Sequence, residues 1–242
     1  MEAKLKANAG TGAEVADEPE SPADPGSGGS GSDAGPDPRP SAPKPGAPRR
    51  EARRRVLAAA LDAIAERGPD AVRVRDIAER AGMSAGHVLY YFGKRERILI
   101  ETLVLSEEDL AEDRSARLAR CRDPWSAVVR FIDLYLPHEP GDARWSLWTQ
   151  MYARPPQDPD ARARLAAVDA GWEADLAAQV RRGRDAGRFP GADPDDFAFR
   201  TCKTLDGLAL EIMLGHPQRD SRWARRTAER IVRRELLPAQ ES

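Results

Sequence analysis

The residues best suited to chemistry in this chain lie between positions 84 and 95, where hydroxyl, imidazole, phenol and cationic groups are closely spaced. His87 can meet a purine N7 or O6 through a ring nitrogen, and its neutral ring can pack on a thymine methyl. Tyr90, Lys94 and Arg95 can donate hydrogen bonds to phosphate oxygens. These groups are typical of a surface that reads double-stranded DNA. The alternative for His87 is a solvent-exposed histidine without a functional partner.

Two short helices joined at a glycine must position these groups. Gly82 lies between predicted helices at residues 74–81 and 85–92, and glycine tolerates the positive φ that such a turn needs. Ser84 can cap the second helix, because its hydroxyl accepts a free backbone N–H. Apolar residues that fix this helix recur at Ile77, Ala81, Met83, Val88 and Tyr91. The spacing predicts a helix-turn-helix with residues 85–92 as the recognition helix, and an ordinary helical hairpin is the alternative.

The recognition helix begins with small residues, so direct reading of bases must be sparse. His87 is the best candidate for a base contact. Of the paired tyrosines, the apolar spacing predicts that Tyr91 is more buried than Tyr90. The DNA contacts expected from this helix are Ser84, Ala85, Gly86, His87, Tyr90 and Tyr91.

Charge is concentrated around this motif although the whole chain has a formal net charge of −2. Residues 49–97 contain twelve Arg or Lys and seven Asp or Glu, an excess of five positive charges. Because phosphate neutralisation supplies most non-specific DNA affinity, this local excess favours a nucleic-acid partner. DNA phosphate contacts are expected from the helix starts at Arg73, Arg75, Lys94 and Arg95. A basic arm at Arg49 and Arg50 could enter a minor groove or lie on phosphates, and a solvated charge run is the alternative for it.

Five short segments of this region share a pattern with one family: Arg75-Asp-Ile-Ala, Ala81-Gly-Met-Ser, Gly86, Tyr90-Tyr-Phe92 and Arg95-Glu96. Together they closely resemble the DNA-binding segment of TetR-family transcriptional regulators, over about residues 50–105. The resemblance implies a three-helix domain that reads operator DNA as a homodimer and a larger helical domain that binds a releasing effector. Arg73 and Lys94 depart from the family pattern, which usually has a Thr or Ser cap there. Both ends could face phosphates, or neighbouring residues could cap the helices.

Helical periodicity predicts an all-α chain of about nine helices in two domains after a disordered tail at residues 1–48. The DNA-binding domain is predicted at residues 49–105 and an effector-binding and dimerisation domain at residues 106–242. The expected helices cover residues 50–67, 74–81, 85–92, a fourth from 94 past 115, 124–136, 142–153, 158–186, 195–214 and 221–237. Proline and glycine punctuation separates them.

The second domain contains most of the aromatic residues. The segment from Trp145 to Leu214 resembles the C-terminal domain of BetI-like TetR regulators. A stripe of aromatic residues is more often core than ligand site, but in this family it would lie where the effector pocket forms. Asp206 falls in an apolar face, where a carboxylate must be paired, hydrogen-bonded or protonated. It could anchor a cationic or hydrogen-bonding effector, or form a structural salt bridge with an arginine. Candidate effector-binding residues are Trp145, Trp148, Tyr152, Trp172 and Asp206.

The last two helices are expected to form the homodimer interface. The helix at residues 195–214 is apolar on two faces, and the final helix pairs Trp223, Thr227 and Ile231 with an arginine-rich face. Such helices commonly close a four-helix interface that sets the spacing of two recognition helices.

Enzyme and membrane functions find no support in the residue pattern. Two cysteines and three scattered histidines form no metal-ligand pair, and no glycine loop that could cradle phosphate is present, so neither a metal nor a cofactor is expected. No apolar run is long enough for a membrane span. We expect a cytoplasmic repressor, nucleoid-associated when bound to DNA and released by a small-molecule effector. A regulator controlled by a protein partner is the alternative, and an enzyme is much less favoured.

Overall fold

The computed structural model of the protein describes residues 47–237, and this part of the chain contains nine α-helices and no strand. They are α1 (Ala47–Arg67), α2 (Val74–Arg80), α3 (Ala85–Phe92), α4 (Arg95–Ala119), α5 (Pro124–Tyr135), α6 (Ala143–Ala153), α7 (Pro159–Asp185), α8 (Pro194–Met213) and α9 (Ser221–Leu236). The predicted all-α fold is confirmed. The predicted tail lies outside the described residues, except that residues 47 and 48 belong to α1, which begins three residues earlier than expected.

Helices α1 to α3 pack around a small apolar core. Val56, Ile64, Ile77 and Val88 are all at most 1 % exposed. The turn between α2 and α3 contains Gly82 with φ +66°, as predicted. Burial of these side chains fixes the angle between the two short helices, neither of which would be stable alone.

Helix α4 joins the two halves of the structure. Its first turns bury Ile98, Leu99 and Leu103 against α1 and α3, and its later turns contact α5, α6 and α7. Helix α6 also contacts α1 as well as α4 and α8. The DNA-reading helices and the C-terminal bundle are therefore connected through two elements.

The C-terminal bundle is formed by α5 to α9, with α7 packed most extensively against α8. Helices α5, α7 and α8 each begin with an Asp–Pro pair, in which the aspartate accepts backbone N–H groups of the first turn. Proline fits the first helical position because it has no N–H to satisfy there. These local signals explain why the predicted helix starts lie close to the observed ones.

The face of α9 that packs inward consists of small and aliphatic residues. Its buried residues are Ala224, Ala228, Val232 and Leu236, while Ile231 is 44 % exposed. The small alanines allow α9 to approach α5 and α8 closely, which leaves the Trp223, Thr227 and Ile231 stripe at the edge. Within residues 47–237 no helix is long and apolar enough to cross a membrane.

Candidate functional site

The outward surface of α3 presents the groups predicted to read DNA. Tyr90 is 75 % exposed and His87 is also exposed, whereas Tyr91 is half-buried, as the spacing predicts. The Ser84 hydroxyl accepts the backbone N–H of His87 at 3.2 Å, which confirms the predicted N-cap. Leu89, which we did not single out from the sequence, adds an apolar group that is 39 % exposed to the same helix.

The rings of α3 form a connected group that also contacts the basic arm. His87 stacks on Tyr91 with ring centroids 4.9 Å apart, and the Arg49 guanidinium lies 5.9 Å from the Tyr91 ring. Arg53 donates to the backbone carbonyl of Tyr91 at 2.8 Å and lies over the Phe92 ring. The start of α1 is thereby held against the C-terminal end of the recognition helix. Arg50 is exposed beside it.

The cations at the helix starts are arranged in two ways. Arg73, Arg75 and Lys94 are exposed, as phosphate contacts require. The backbone N–H of Arg73 is accepted by the Asp76 carboxylate at 2.9 Å, so a neighbouring residue supplies the cap of α2. This hydrogen bond, with the nearby arginines, lowers the pKa of Asp76.

Arg95, from which a contact to a DNA phosphate was expected, is placed differently. Its guanidinium donates to the carbonyl of Val72 at 2.8 Å and to the carbonyl of Pro69, and the residue is half-buried. These bonds attach the start of α4 to the loop between α1 and α2. The geometry favours a structural role for Arg95.

A second group of candidate side chains forms an aromatic cage in the C-terminal bundle. We define the cage as Tyr135 of α5, Trp145, Trp148 and Tyr152 of α6, and Trp172 of α7. Four of the five are at most 6 % exposed, and Tyr152, at 44 %, lies at the surface. The Tyr135 ring lies 4.8 Å from Trp172 and 5.9 Å from Trp145, and Trp148 stacks on Tyr152 at 5.7 Å. Helices remote in sequence thus bring their aromatic faces together.

Glu107 of α4 is a buried carboxylate beneath the cage. Its Oε1 accepts the indole N–H of Trp148 at 2.7 Å, and its Oε2 accepts that of Trp172 at 2.9 Å. The side chain is 1 % exposed. Because one carboxylate accepts from both indoles, it fixes the relative orientation of two cage rings.

Arg144 provides the cation that faces this carboxylate. Its Nη1 lies 3.2 Å from Glu107 Oε1, and its Nη2 donates to the Tyr135 carbonyl at 2.7 Å. The guanidinium carbon is 5.5 Å from the Trp145 ring centroid and 5.7 Å from that of Trp172. Arg114 also lies over Trp172, at 3.8 Å, and is paired with Asp175.

Asp206 of α8 lies at the wall of the cage. The Tyr135 hydroxyl donates to its Oδ1 at 2.6 Å, and Lys203 Nζ lies 3.5 Å from its Oδ2. Burial, together with the Asp206 charge, raises the pKa of Tyr135, so the phenol stays protonated as a donor. The predicted need for a partner is therefore met by a tyrosine and a lysine, not by an arginine.

Asp169 of α7 adds a third carboxylate near the cage. Burial raises its pKa to about 6, with Asp206, Glu173 and Glu107 acting in the same direction and Lys203 acting against them. Burial alone would lower the pKa of Lys203, but the surrounding carboxylates, led by Asp206, raise it. The cage region therefore contains carboxylates in excess of cations when Asp169 is ionised.

The cavity enclosed by these groups is small. Its volume is about 10 Å³, and its lining comprises Tyr135, Arg144, Trp145, Trp148, Tyr152, Asp169, Trp172 and Asp206. All five effector-binding residues predicted from the sequence are among these eight. A larger cleft of about 860 Å³ lies between the start of α4 and the α6–α7 connection, where charges of both signs are mixed and Phe92 is the one aromatic residue.

Helix α6 connects the cage to the DNA-reading half. Three cage residues lie on it, and between them Gln150 donates to Asp70 of the α1–α2 loop at 2.8 Å. Glu107 makes α4 a second connection, since that helix also packs on α1. Helices α4 and α6 therefore contact both the surroundings of the cage and the N-terminal helices.

Sequence reasoning missed Glu107, Arg144, Asp169 and the role of Tyr135. One signal was available for Glu107, because it falls on the helical stripe that contains Leu103, Leu110 and Leu118. Asp169 likewise lies on a stripe with Leu165, Trp172 and Leu176. A charge at the centre of an apolar stripe is the sign of a buried functional or structural group.

Two family models match the chain. Residues 56–102 match the model of bacterial regulatory proteins of the tetR family, and residues 124–237 match the C-terminal model of BetI-type transcriptional repressors. Together they cover the helix-turn-helix and the whole bundle from α5 to α9.

Individual proteins agree with these matches. The HTH-type transcriptional regulator BetI of Agrobacterium fabrum is 29 % identical over 164 residues, which cover 65 % of this chain and 75 % of that protein. A transcriptional regulator of Saccharomonospora viridis, solved in complex with choline, is 27 % identical with a TM-score of 0.70 and covers 78 % of this chain and 100 % of its own. A TetR-family regulator of a Rhodococcus species, 23 % identical, shares the fold with a TM-score of 0.63 over 77 % of this chain and 99 % of its own.

The helix-turn-helix geometry and these matches lead to one assignment. The chain belongs to the TetR family of bacterial transcriptional regulators, with a C-terminal region of the BetI type, and is a DNA-binding regulator rather than an enzyme.

Proposed function

We propose that this regulator is a homodimeric repressor that holds operator DNA until a small cation of the quaternary-ammonium class binds at the aromatic cage. The observation that carries the proposal is the convergence of five aromatic rings with Asp169 and Asp206 around one cavity, above the buried Glu107 carboxylate that accepts from two of the rings. Aromatic faces attract a cation through the ring quadrupole, and desolvation strengthens that attraction. The carboxylates give the cavity the opposite charge to such a ligand.

The choline complex of the Saccharomonospora relative supports this ligand class. That protein shares the fold over 78 % of this chain at 27 % identity. Choline carries a trimethylammonium group, which makes no hydrogen bonds of its own and is recognised by aromatic faces. We expect an effector whose cation contacts the rings and whose polar end reaches the mouth beside Tyr152, which is 44 % exposed.

DNA recognition is proposed for the exposed side of α3 and its flanks, within a DNA-binding domain at residues 49–105. His87 is the base-reading candidate, while Ser84, Ala85, Gly86, Tyr90 and Tyr91 complete the surface that enters the major groove. The proposed phosphate contacts are Arg49, Arg50, Arg73, Arg75 and Lys94. Arg95 holds the start of α4 against the loop between α1 and α2. Operator binding would make the protein nucleoid-associated.

The homodimer is proposed to form through α8 and α9, within a C-terminal domain at residues 106–242. Phe199, Leu210, Leu214 and Ile231 leave between 39 % and 79 % of their surface exposed. A side chain at Gly207 would meet nothing within 4 Å, so another helix can approach this stretch of α8. A two-fold interface there would place two recognition helices about 34–36 Å apart, on successive major grooves.

Release requires only that the effector bind the DNA-free spacing of the dimer more tightly than the DNA-bound spacing. A tenfold difference in effector affinity corresponds to about 1.4 kcal/mol of coupling per site. The supporting geometry is the pair of connections described above, Glu107 on α4 and Gln150 on α6.

The test uses the DNA upstream of the protein's own coding sequence in an anisotropy titration over a salt series, with unrelated DNA as competitor. We expect specific, salt-sensitive binding that is lost when His87→Ala is combined with Tyr90→Phe. Choline chloride should then release the DNA at concentrations where equimolar sodium chloride does not.

The outcomes separate the two parts of the proposal. Specific binding without release by choline would contradict the cationic effector and favour a regulator controlled by a protein partner. Binding no tighter than to competitor DNA would contradict autoregulation at that site, and a selection from random duplexes would then establish whether the dimer has any operator.

A further inference from the structure

Arg144 makes the contacts that a cationic effector would need. Its guanidinium lies within 6 Å of the Trp145 and Trp172 ring centroids and pairs with the Glu107 carboxylate. These are the two elements of cation recognition, an aromatic face and an opposite charge. The side chain is 14 % exposed, so most of it lies within the bundle.

The cage has no room for a trimethylammonium group beside Arg144. Its cavity of about 10 Å³ holds about one water molecule. Sites for small organic ligands usually measure about 300 Å³ or more. Some lining group must therefore move before an effector can bind.

Tyr152 is already 44 % exposed at the mouth of the cavity, and among the interior lining groups Arg144 is the one best placed to move. The indole N–H groups of Trp145, Trp148 and Trp172 each donate to an acceptor within the bundle, and moving a ring within the bundle would leave its N–H without that acceptor. Arg144 is the second residue of α6, and its long side chain can turn toward solvent, where a guanidinium is well hydrated. Glu107 would lose its cation unless another cation replaced it.

We propose that Arg144 is an intramolecular competitor for the effector: its guanidinium occupies the cage, and a cationic effector displaces it by taking over its contacts with the rings and with Glu107. This inference rests on the proposed function of the cage. It makes Arg144 a residue that sets effector affinity and the requirement for positive charge. A neutral molecule that expelled Arg144 would leave the buried Glu107 carboxylate without an opposite charge.

Displacement of Arg144 also supplies a mechanical link to DNA release. In the closed cage, Arg144 ties the first turn of α6 to the Tyr135 carbonyl and to Glu107 of α4. The same helix contacts the α1–α2 loop through Gln150. Loss of the Arg144 contacts would free α6 to move relative to α4 and to pass that movement to Asp70.

The test measures tetramethylammonium chloride binding to the full-length protein by tryptophan fluorescence at constant ionic strength. Arg144→Met keeps a side chain of similar length without the charge, and Arg144→Lys keeps a cation as the matched control. We expect Arg144→Met to bind tetramethylammonium at least tenfold more tightly than wild type, and Arg144→Lys to stay within about threefold. Operator release should shift to lower concentration in the same order.

The opposite result has a clear meaning. If Arg144 only supports the rings, Arg144→Met will bind equally or more weakly, and that outcome overturns the inference while leaving the proposed function intact. If tetramethylammonium bound neither the wild type nor any variant, the inference and the proposed function would both be overturned. Arg144→Gln repeats the comparison should the methionine variant fail to give a folded protein by circular dichroism, since its amide keeps polarity without charge.

Discussion

The surface of α3 and the aromatic cage differ in how the chain builds them. The groups on α3 lie within about ten residues, and their exposed side chains depend on the local fold of two short helices. The cage draws its rings from α5, α6 and α7, and three of them donate hydrogen bonds to Glu107 of α4 or Asp206 of α8. From this comparison we expect that changes to the exposed side chains of α3 will leave stability nearly intact, whereas changes to the buried rings of the cage will also affect folding.

The largest expected effect comes from Trp172→Ala in the cage. The ring is 3 % exposed and contacts Phe131, Tyr135 and Arg114, and its indole N–H donates to Glu107. We expect the free energy of unfolding to fall by about 3–5 kcal/mol, measured by urea denaturation. Tyr90→Phe, at an exposed site, should change it by less than about 0.5 kcal/mol. Similar losses in both variants would break the contrast between the two regions.

Gly82→Ala tests how far the α3 surface depends on its turn. The residue has φ +66° and open space around it, so a methyl group meets only backbone strain. We expect a loss of about 1–2 kcal/mol in unfolding free energy together with weaker DNA binding. Gly86→Ala is the matched control, since Gly86 lies in α3 without positive φ and alanine there should be neutral or stabilising by about 0.5–1 kcal/mol. Equal stability of the two variants would show that the turn does not need glycine.

Lys94 and Arg95 are adjacent in sequence, but we expect the first to contact DNA and the second to stabilise the fold. Lys94→Ala should leave stability unchanged and reduce the salt dependence of DNA affinity by about one unit in the slope of log K against log salt concentration. Arg95→Ala should instead lower the unfolding free energy by about 1–3 kcal/mol, because two loop carbonyls lose their donor. The reverse pattern would place Arg95 on the DNA and Lys94 in the fold.

The smallest expected effect concerns the pH dependence of the cage. Burial raises the pKa of Asp169 to about 6, so its charge forms as pH rises through that value. A cationic effector favours the ionised form, and we expect its affinity to increase a few-fold between pH 5 and 7. The sign for stability is opposite, since ionisation of a carboxyl with a raised pKa costs folding free energy as pH rises through about 6.

Asp169→Asn should remove this dependence from a calorimetric titration carried out at several pH values. Asp160→Asn, at an exposed position in the first turn of α7, is the control. Unchanged pH dependence in Asp169→Asn would assign the titration to another group.

The α3 surface could largely be predicted from the sequence, whereas the surroundings of the cage could be predicted only in part. The bounds of α3 agree with the predicted ones, and the Ser84 cap, the positive φ at Gly82 and the burial order of Tyr90 and Tyr91 were all predictable, because each depends on neighbouring residues. The effector-binding residues remain a prediction, but Trp145, Trp148 and Tyr152 share one helical stripe, and the structure places them around one cavity.

The partners of those residues could not be predicted from local patterns. That Glu107 accepts from two indoles and that Arg144 faces it depends on how α4, α6 and α7 pack, which no short-range spacing encodes. The same limit applies to α9, where packing on α5 and α8 buries Ala224, Ala228, Val232 and Leu236, a face that the sequence pattern did not single out. For Arg95 the sequence predicted a phosphate contact, whereas its guanidinium donates to the carbonyls of Val72 and Pro69, which are distant in sequence.

The most direct test of the central claim is a calorimetric comparison of choline with 3,3-dimethylbutan-1-ol, a neutral molecule of the same shape, binding to the full-length protein. The cage of aromatic faces and buried carboxylates predicts saturable choline binding that is at least tenfold tighter than binding of the neutral molecule. Equal affinity for the two molecules, or no saturable binding of choline, would contradict the account.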